Sequence, residues 1–317
     1  MMRHAKMEGL HPYYVFPEKF SSHADDFFSS YILEKVVACP GTKMTGLIPK
    51  QEKVCRFCRK KYPVVGFRKD AHVFPELIGN RYLVSDFECD DCNWTFGRYK
   101  DQFSKFLELS RTILAVRGKE KMPKFKSADE RLLMESMIDP QFGPVVHAKR
   151  VSGDDLVFSY DEGRKVMTIS CTRQPFVPLQ VYKSFLKMAL TCLDGAQIKD
   201  YSTALRYVGA KDLDNTTGGF TWIYRYTMPY TFMYEKPVGM IFRKRNTDAP
   251  LFSHIFILFA LNTIYQLVIP LCDKDRRYYL AQQSIHFPCA RLFSRENIHS
   301  RWKPFSLRTW IYLQTRL

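Results

Sequence analysis

Two Cys-x-x-Cys pairs, Cys55/Cys58 and Cys89/Cys92, limit what this chain can fold into more than any other feature. Two thiolates on a tight turn supply half of a tetrahedral zinc site, and two such turns close it without another ligand. Four buried free cysteines would give the same count. The pairs repeat one spacing, however, and Asp90 and Asp91 lie inside the second, where an apolar core has no use for them. A closed four-cysteine site has no open position for water or substrate, so Zn2+ bound there holds the fold and the chemistry comes from elsewhere.

Between the pairs the chain reads Asp70-Ala71-His72-Val73-Phe74-Pro75-Glu76-Leu77-Ile78-Gly79-Asn80, and from the last cysteine Cys92-Asn93-Trp94-Thr95-Phe96-Gly97. Over roughly residues 53 to 105 this resembles the zinc-knuckle branch of the HNH endonuclease family, with C-x-x-C, then A/E-H-x-x-P-x-x-x-G, then C-x-x-C-N-x-x-F-G. The resemblance implies a ββα-metal fold: one strand delivers the histidine, a second returns, and a helix delivers the final Asn or His. Local sequence follows that order. Val64, Val65 and Phe67 favour a strand leading to His72, Pro75 and Gly79 break the chain, and Tyr82-Leu83-Val84 suits the return strand. Asn93 to Leu109 reads as a helix with Trp94, Phe96, Phe103, Phe106 and Leu107 as its apolar positions, and Asp90 and Asp91 favour its start.

Carried over by position, the resemblance makes His72 the general base that takes a proton from water attacking a scissile phosphodiester, a role suited to an imidazole near neutral pH. Asn93 takes the position of the ligand to a divalent ion, expected to be Mg2+ or Mn2+ because the donors are oxygens. Asn80 and Glu76 are alternative partners for orienting His72. The chain departs from many HNH enzymes at Ala71, where they carry an acidic metal ligand. Asp70 shares a strand face with His72 and is the first substitute, with Glu76 and Asp101 as further candidates. Arg81, Arg98 and Lys100 lie close enough in sequence to hold phosphate, and Lys119 belongs to a basic tract from Arg111 to Lys126 that reads as a surface connector able to follow a DNA backbone.

Lys and Arg outnumber Asp and Glu by 48 to 32, a surplus that favours a polyanionic partner, DNA before an anionic membrane. With 46% hydrophobic residues the chain is not of the disordered class. Residues 1–50 read as an N-terminal extension without a secretory signal, with a short helix over Phe27 to Val37. The absence of export and of a disulfide framework points to the cytoplasm.

Residues 127–317 read as a larger mixed α/β domain. The expectation is a hairpin from Leu156–Tyr160 and Val166–Cys171, an amphipathic helix over Pro178–Leu193, a short helix over Tyr201–Val208, and strands over Val238–Arg243, His254–Leu261 and Ile264–Leu271. Asn262, Thr263 and Gln266 interrupt the apolar run from Ile255 to Leu271, which favours two buried strands over a membrane span. The Arg and Trp residues between Arg295 and Trp310 read as core aromatics beside snorkelling cations.

The organisation expected is therefore α+β: a zinc-stabilised HNH unit at 51–110, a connector at 111–126, and a domain at 127–317 that recognises, regulates or docks a ligand or protein. The resemblance implies metal-dependent DNA cleavage, in a setting such as bacterial restriction or phage defence. A one-metal unit needs two copies or two visits to break both strands, which makes a homodimer attractive. The alternative is a catalytically inactive zinc-knuckle nucleic-acid-binding protein.

Overall fold

The computed structural model describes residues 2–5, 14–17, 21–42, 48–118, 121–150, 158–163, 166–210, 222–227, 234–280, 304–305 and 315–316. In chain order the elements are β1 (Met2–Ala5), β2 (Tyr14–Pro17), α1 (Ser21–Ser30), β3 (Tyr31–Ala38), β4 (Ala71–His72), β5 (Val84–Ser85), α2 (Asp90–Ile113), β6 (Lys124–Lys126), β7 (Leu132–Asp139) and β8 (Gly143–Arg150). They continue with β9 (Phe158–Asp161), β10 (Val166–Ile169), α3 (Pro178–Cys192), α4 (Ser202–Gly209), β11 (Ile223–Thr227), β12 (Tyr234–Lys244), β13 (His254–Leu261), β14 (Thr263–Val268), α5 (Arg276–Leu280), β15 (Pro304–Phe305) and β16 (Thr315–Arg316). This is a mixed α/β fold with a four-cysteine cluster at the start of α2.

The largest sheet has six antiparallel strands in the order β15-β11-β14-β13-β12-β3. Its centre is the apolar run that begins at Ile255. The chain turns at Leu261 and Asn262, with Leu261 in the left-handed region at φ 58°, and Ala260 faces Thr263 across the turn. Every residue of β14 is buried, and among the described residues no helix is long and apolar enough to cross a membrane.

The edge strand β3 corrects the helix expected over Phe27–Val37. That helix ends at Ser30, and Tyr31 to Ala38 pairs with β12, with Leu33 opposite Phe242 and Val37 opposite Gly239. Phe27 and Tyr31, four residues apart, imitate a helical stripe, but Tyr31 already belongs to the strand and both rings pack with Phe242 or with each other. Part of the N-terminal extension is thus a strand of the main sheet.

Helix α3 is also more deeply placed than an amphipathic helix. From Val181 to Leu190 every residue is buried, Lys183 and Lys187 included. Phe185 explains the position: its ring lies 5.0 Å from Phe103 of α2 on one side and 4.9 Å from Tyr265 of β14 on the other. A helix held between another helix and a sheet has no solvent face. One apolar cluster runs from Cys55 and Phe74 through Phe96, Phe103 and Phe185 to Phe256 and Leu267, so the zinc-knuckle region shares its core with the later sheet.

The basic tract is only partly a connector. Arg111 lies in the last turn of α2, and Lys124 to Lys126 form β6, with Lys124 paired to Glu135 at 2.7 Å and Lys126 to Glu130 at 2.8 Å. The hairpin expected around residues 161–163 forms as β9 and β10. Leu156 and Val157 of the expected hairpin and all of the Arg295–Trp310 stretch except Pro304 and Phe305 lie outside the described residues.

Candidate active site and metal centre

The four-cysteine cluster is assembled from a turn and a helix start. Cys55 and Cys58 lie on a turn closed by the Arg59 N–H donating to the Cys55 carbonyl at 2.9 Å and the Cys55 N–H donating to the Lys60 carbonyl at 2.8 Å. Cys89 is the residue before α2, and Cys92 is in its first turn. All four sulfurs lie within 4.8 Å of one another, with Cys55–Cys92 and Cys58–Cys89 each at 3.7 Å. A tetrahedron with Zn–S bonds of ~2.3 Å has edges of about 3.8 Å, so the four sulfurs fit a zinc ion. Burial pushes the Cys89 thiol up to about 12, and the hydrogen-bond contact between the Cys55 and Cys92 sulfurs raises the Cys92 thiol while lowering that of Cys55 to about 5. Thiolates are the form in which these side chains would serve as ligands to a divalent cation.

Asp90, inside the second pair, has a structural use. Its carboxylate accepts from the Arg68 N–H at 3.0 Å and the Lys69 N–H at 2.8 Å, and its own N–H donates to the Gly66 carbonyl at 2.9 Å. This clamp explains why no strand forms over Val64–Phe67: those residues are a turn and loop tied to the start of α2, with Val64 exposed.

The histidine strand is very short. Ala71 faces Ser85 and His72 faces Val84, and the Val73 N–H donates to the Leu83 carbonyl at 3.1 Å. After Pro75 comes a single 3-10 turn, Glu76–Ile78, ended by Gly79 at φ 96°. Glycine is needed there twice over, for the left-handed backbone and because a Cβ would lie 2.9 Å from the Glu235 carbonyl of β12.

The turn brings Glu76 back to the histidine, with Oε1 3.7 Å from His72 Nε2. The imidazole, 12% exposed, is held below its usual value first by burial and then by the Lys100 charge, against the opposing pull of Glu76, a backbone hydrogen bond at Arg81 and the charge of Asp70.

Asn80 does something else. Its amide donates to the Phe74 carbonyl at 2.7 Å and the Leu83 carbonyl at 2.9 Å and accepts from the Leu83 N–H at 2.9 Å, while Cys39 Sγ lies 3.4 Å from its oxygen. Asn80 is fully buried and pins the loop between β4 and β5, so of the two alternatives it is Glu76 that touches the ring.

Asn93 meets the strand from α2. Its Nδ2 donates to the Asp70 main-chain carbonyl at 3.3 Å, and its Oδ1 accepts from Lys100 Nζ at 3.0 Å. Lys100 is two helical turns further along, on the same face of α2. Gly97, between them, would place a Cβ in open space, so that face is uncrowded. Burial first, and then the charge of Lys187, lowers the Lys100 pKa.

The exposed Asp70 stands at the strand end, whereas Asp101 pairs with Lys105 at 3.3 Å and points its exposed carboxylate elsewhere. Arg81 and Arg98 are exposed; Lys119 lies outside the described residues. Trp94, expected as an apolar position of the helix, is 68% exposed.

His72 and Lys100 also line a small cavity with Val73, Pro75, Phe96, Tyr99, Ser184, Lys187 and Met188. The last three come from α3, which the HNH motif does not include. Lys187, whose Nζ donates to the His72 main-chain oxygen at 2.9 Å, was not legible as a site residue, since that bond joins positions far apart in sequence.

The order knuckle, histidine strand, return strand and asparagine helix is now in place around one centre. Residues 55–106 match the HNH endonuclease family model. No curated protein and no solved structure gives a significant match to the chain. The HNH unit so defined carries the cysteine cluster, His72, Glu76, Asn93 and Lys100 within its limits and receives Lys187 from outside them. A nuclease of this family acts on nucleic acid, which fits the positive charge of the chain.

Proposed function

We propose that the protein is a metal-dependent HNH endonuclease that hydrolyses phosphodiester bonds of DNA. The observation that carries this reading is the meeting of Asn93 with the strand that bears His72, through the 3.3 Å bond to the Asp70 carbonyl. His72, neutral at pH 7, takes the proton from a water attacking the phosphorus, and the 3′ oxygen leaves on the opposite side. Glu76, 3.7 Å from Nε2, compensates the charge of the imidazolium that results.

Asn93 Oδ1 and the Asp70 carboxylate are hard oxygen donors suited to Mg2+ or Mn2+, with water completing the shell and Asp70 standing in for the acid that Ala71 lacks. Bound there, the ion would neutralise the scissile phosphate and the departing oxygen. Lys100, released from Asn93 Oδ1, turns its ammonium to a phosphate oxygen, and Arg81 and Arg98 hold the flanking backbone. A restriction or phage-defence setting is in keeping with the HNH unit.

A second reading, a binding protein without activity, draws on Ala71 and on the ammonium already bonded to Asn93 Oδ1. Incubation of the whole chain with supercoiled plasmid in Mg2+ or Mn2+, against EDTA at constant zinc content, separates the two. Conversion to nicked or linear DNA in the divalent ion alone supports the nuclease. Salt-sensitive binding with the plasmid intact under every ion supports the binding protein.

A further inference from the structure

We propose that Lys187 of α3 is a positioning residue for the HNH base, held in place by Glu88. Lys187 Nζ donates to the main-chain oxygen of His72 at 2.9 Å and lies 2.7 Å from Glu88 Oε2. Both side chains are out of solvent, at 5% and 0% exposure. Neither Glu88 oxygen receives an aligned hydrogen bond, so their contact is one of charge. This inference rests on the nuclease reading and extends the site beyond residues 55–106.

Three observations carry it. First, β4 is two residues long, and a strand that short does not fix the tilt of the peptide bearing His72. A buried ammonium on its carbonyl supplies the missing tie.

Second, Glu88 immediately precedes the zinc ligand Cys89, so the carboxylate that holds Lys187 is anchored by the zinc site. The same helix end is gripped by the first knuckle: Arg56 Nη1 donates to the carbonyls of Leu190, Thr191 and Leu193 at 2.9, 2.9 and 2.8 Å. Zinc, α3 and the base strand therefore form one framework.

Third, a buried ion pair is by itself weak evidence of a stabilising role. Replacing a buried ion pair by apolar residues of similar volume is often neutral or stabilising, so a lysine that spends its donor on His72 has a positional use. Lys187 also sits in the cavity wall beside His72 and Lys100, and its charge adds to burial in lowering Lys100. Misplacing a base by about an ångström costs up to ~100-fold in rate without weakening substrate binding.

The test compares the full-length zinc-loaded protein with Lys187→Met/Glu88→Met, which leaves no orphaned charge, and with Lys187→Arg, which keeps charge and donor. Zinc content and Tm report folding, and the ring resonances of His72 at one alkaline pH, assigned by their loss in His72→Ala, report the position of the base independently of cleavage. Expected is a double variant with wild-type zinc, a Tm lowered by no more than about 5 °C through the His72 carbonyl left without its donor, a displaced His72 resonance, kcat on plasmid lowered about 10- to 100-fold and KM within about threefold. Lys187→Arg is expected to lie closer to wild type than the double variant does; the reverse order contradicts the proposal. A double variant with wild-type kcat and an unmoved resonance overturns it. If the wild type itself fails to cut, the nuclease reading falls, and the resonance alone decides whether Lys187 positions His72.

Discussion

Arg56 and Leu190 are joined by a 2.9 Å hydrogen bond that ties the first zinc knuckle to the last turn of a helix lying outside the HNH unit. One guanidinium nitrogen serves three carbonyls at the C-terminus of α3, where a helix leaves its last carbonyls without partners. Burial lowers the Arg56 pKa, and the Phe87 ring lies 4.8 Å away. Arg56→Met should therefore cost at least about 2 kcal/mol, since charged hydrogen bonds are lost and buried carbonyls orphaned. Urea unfolding measures it; a loss below about 0.5 kcal/mol would show that the cap is dispensable.

Removing one zinc ligand should undo the same framework from the other side. Cys58 is the exposed member of the four, so Cys58→Ser disturbs packing least while breaking the tetrahedral set. Zinc content is expected to fall to background and Tm to drop by about 10 °C or more, several kcal/mol at about 2–4 °C each. A zinc-free variant with unchanged Tm would mean that the metal is not structural.

Much of this framework was legible before any fold was known, and the reason is distance along the chain. The cysteine pairs, His72, Glu76 and Asn93 are recognised by local spacing, and α2 extends from Asp90 to Ile113 around the expected helix because its apolar positions repeat regularly. The two strands after His254 were readable from the polar break at Asn262. What escaped were contacts made by pairing distant segments: β3 against β12, Lys187 on the His72 carbonyl, and the clamp of Asp90 on the 66–69 loop. The helix over Pro178–Leu193 read as amphipathic, since nothing local reveals that Glu88 and two main-chain oxygens receive Lys183 and Lys187 in its buried middle.

Gly66 and Gly97 should respond in opposite ways to alanine. A Cβ on Gly66 would lie 2.4 Å from Asp90 Oδ2, so Gly66→Ala must push the carboxylate off the Arg68 and Lys69 amides, at a cost of about 1–3 kcal/mol. At Gly97 a Cβ meets nothing within 4 Å, and alanine should stabilise the helix by up to about 1 kcal/mol. Chemical denaturation of the two variants side by side checks both signs; a Gly66→Ala variant as stable as wild type would disprove the clamp.

Acid should loosen the edge of the main sheet through Glu34. The contact with His254, whose Nε2 lies 3.4 Å from Glu34 Oε2, holds the carboxyl below the usual range, burial opposes this, and Arg243, donating to Oε1 at 3.0 Å, lowers it further. A depressed folded-state value means that the carboxylate stabilises the fold fully above its unfolded pKa of about 4.3, and that this contribution is lost as pH falls through the folded value. The stability gap between wild type and Glu34→Gln should accordingly be widest near pH 6 and shrink below about pH 4. Urea midpoints across that range measure it, and a gap that widens on acidification would reverse the assigned sign.

In the proposed nuclease, His72 is the base, and neither the fold nor the grip on substrate depends on its ring. The most direct measurement is plasmid cleavage in Mg2+ by wild type and His72→Ala at equal zinc content, with DNA affinity measured alongside. Loss of about 100-fold or more in rate, with affinity within about threefold, is the predicted result. Cleavage by His72→Ala at the wild-type rate would contradict it.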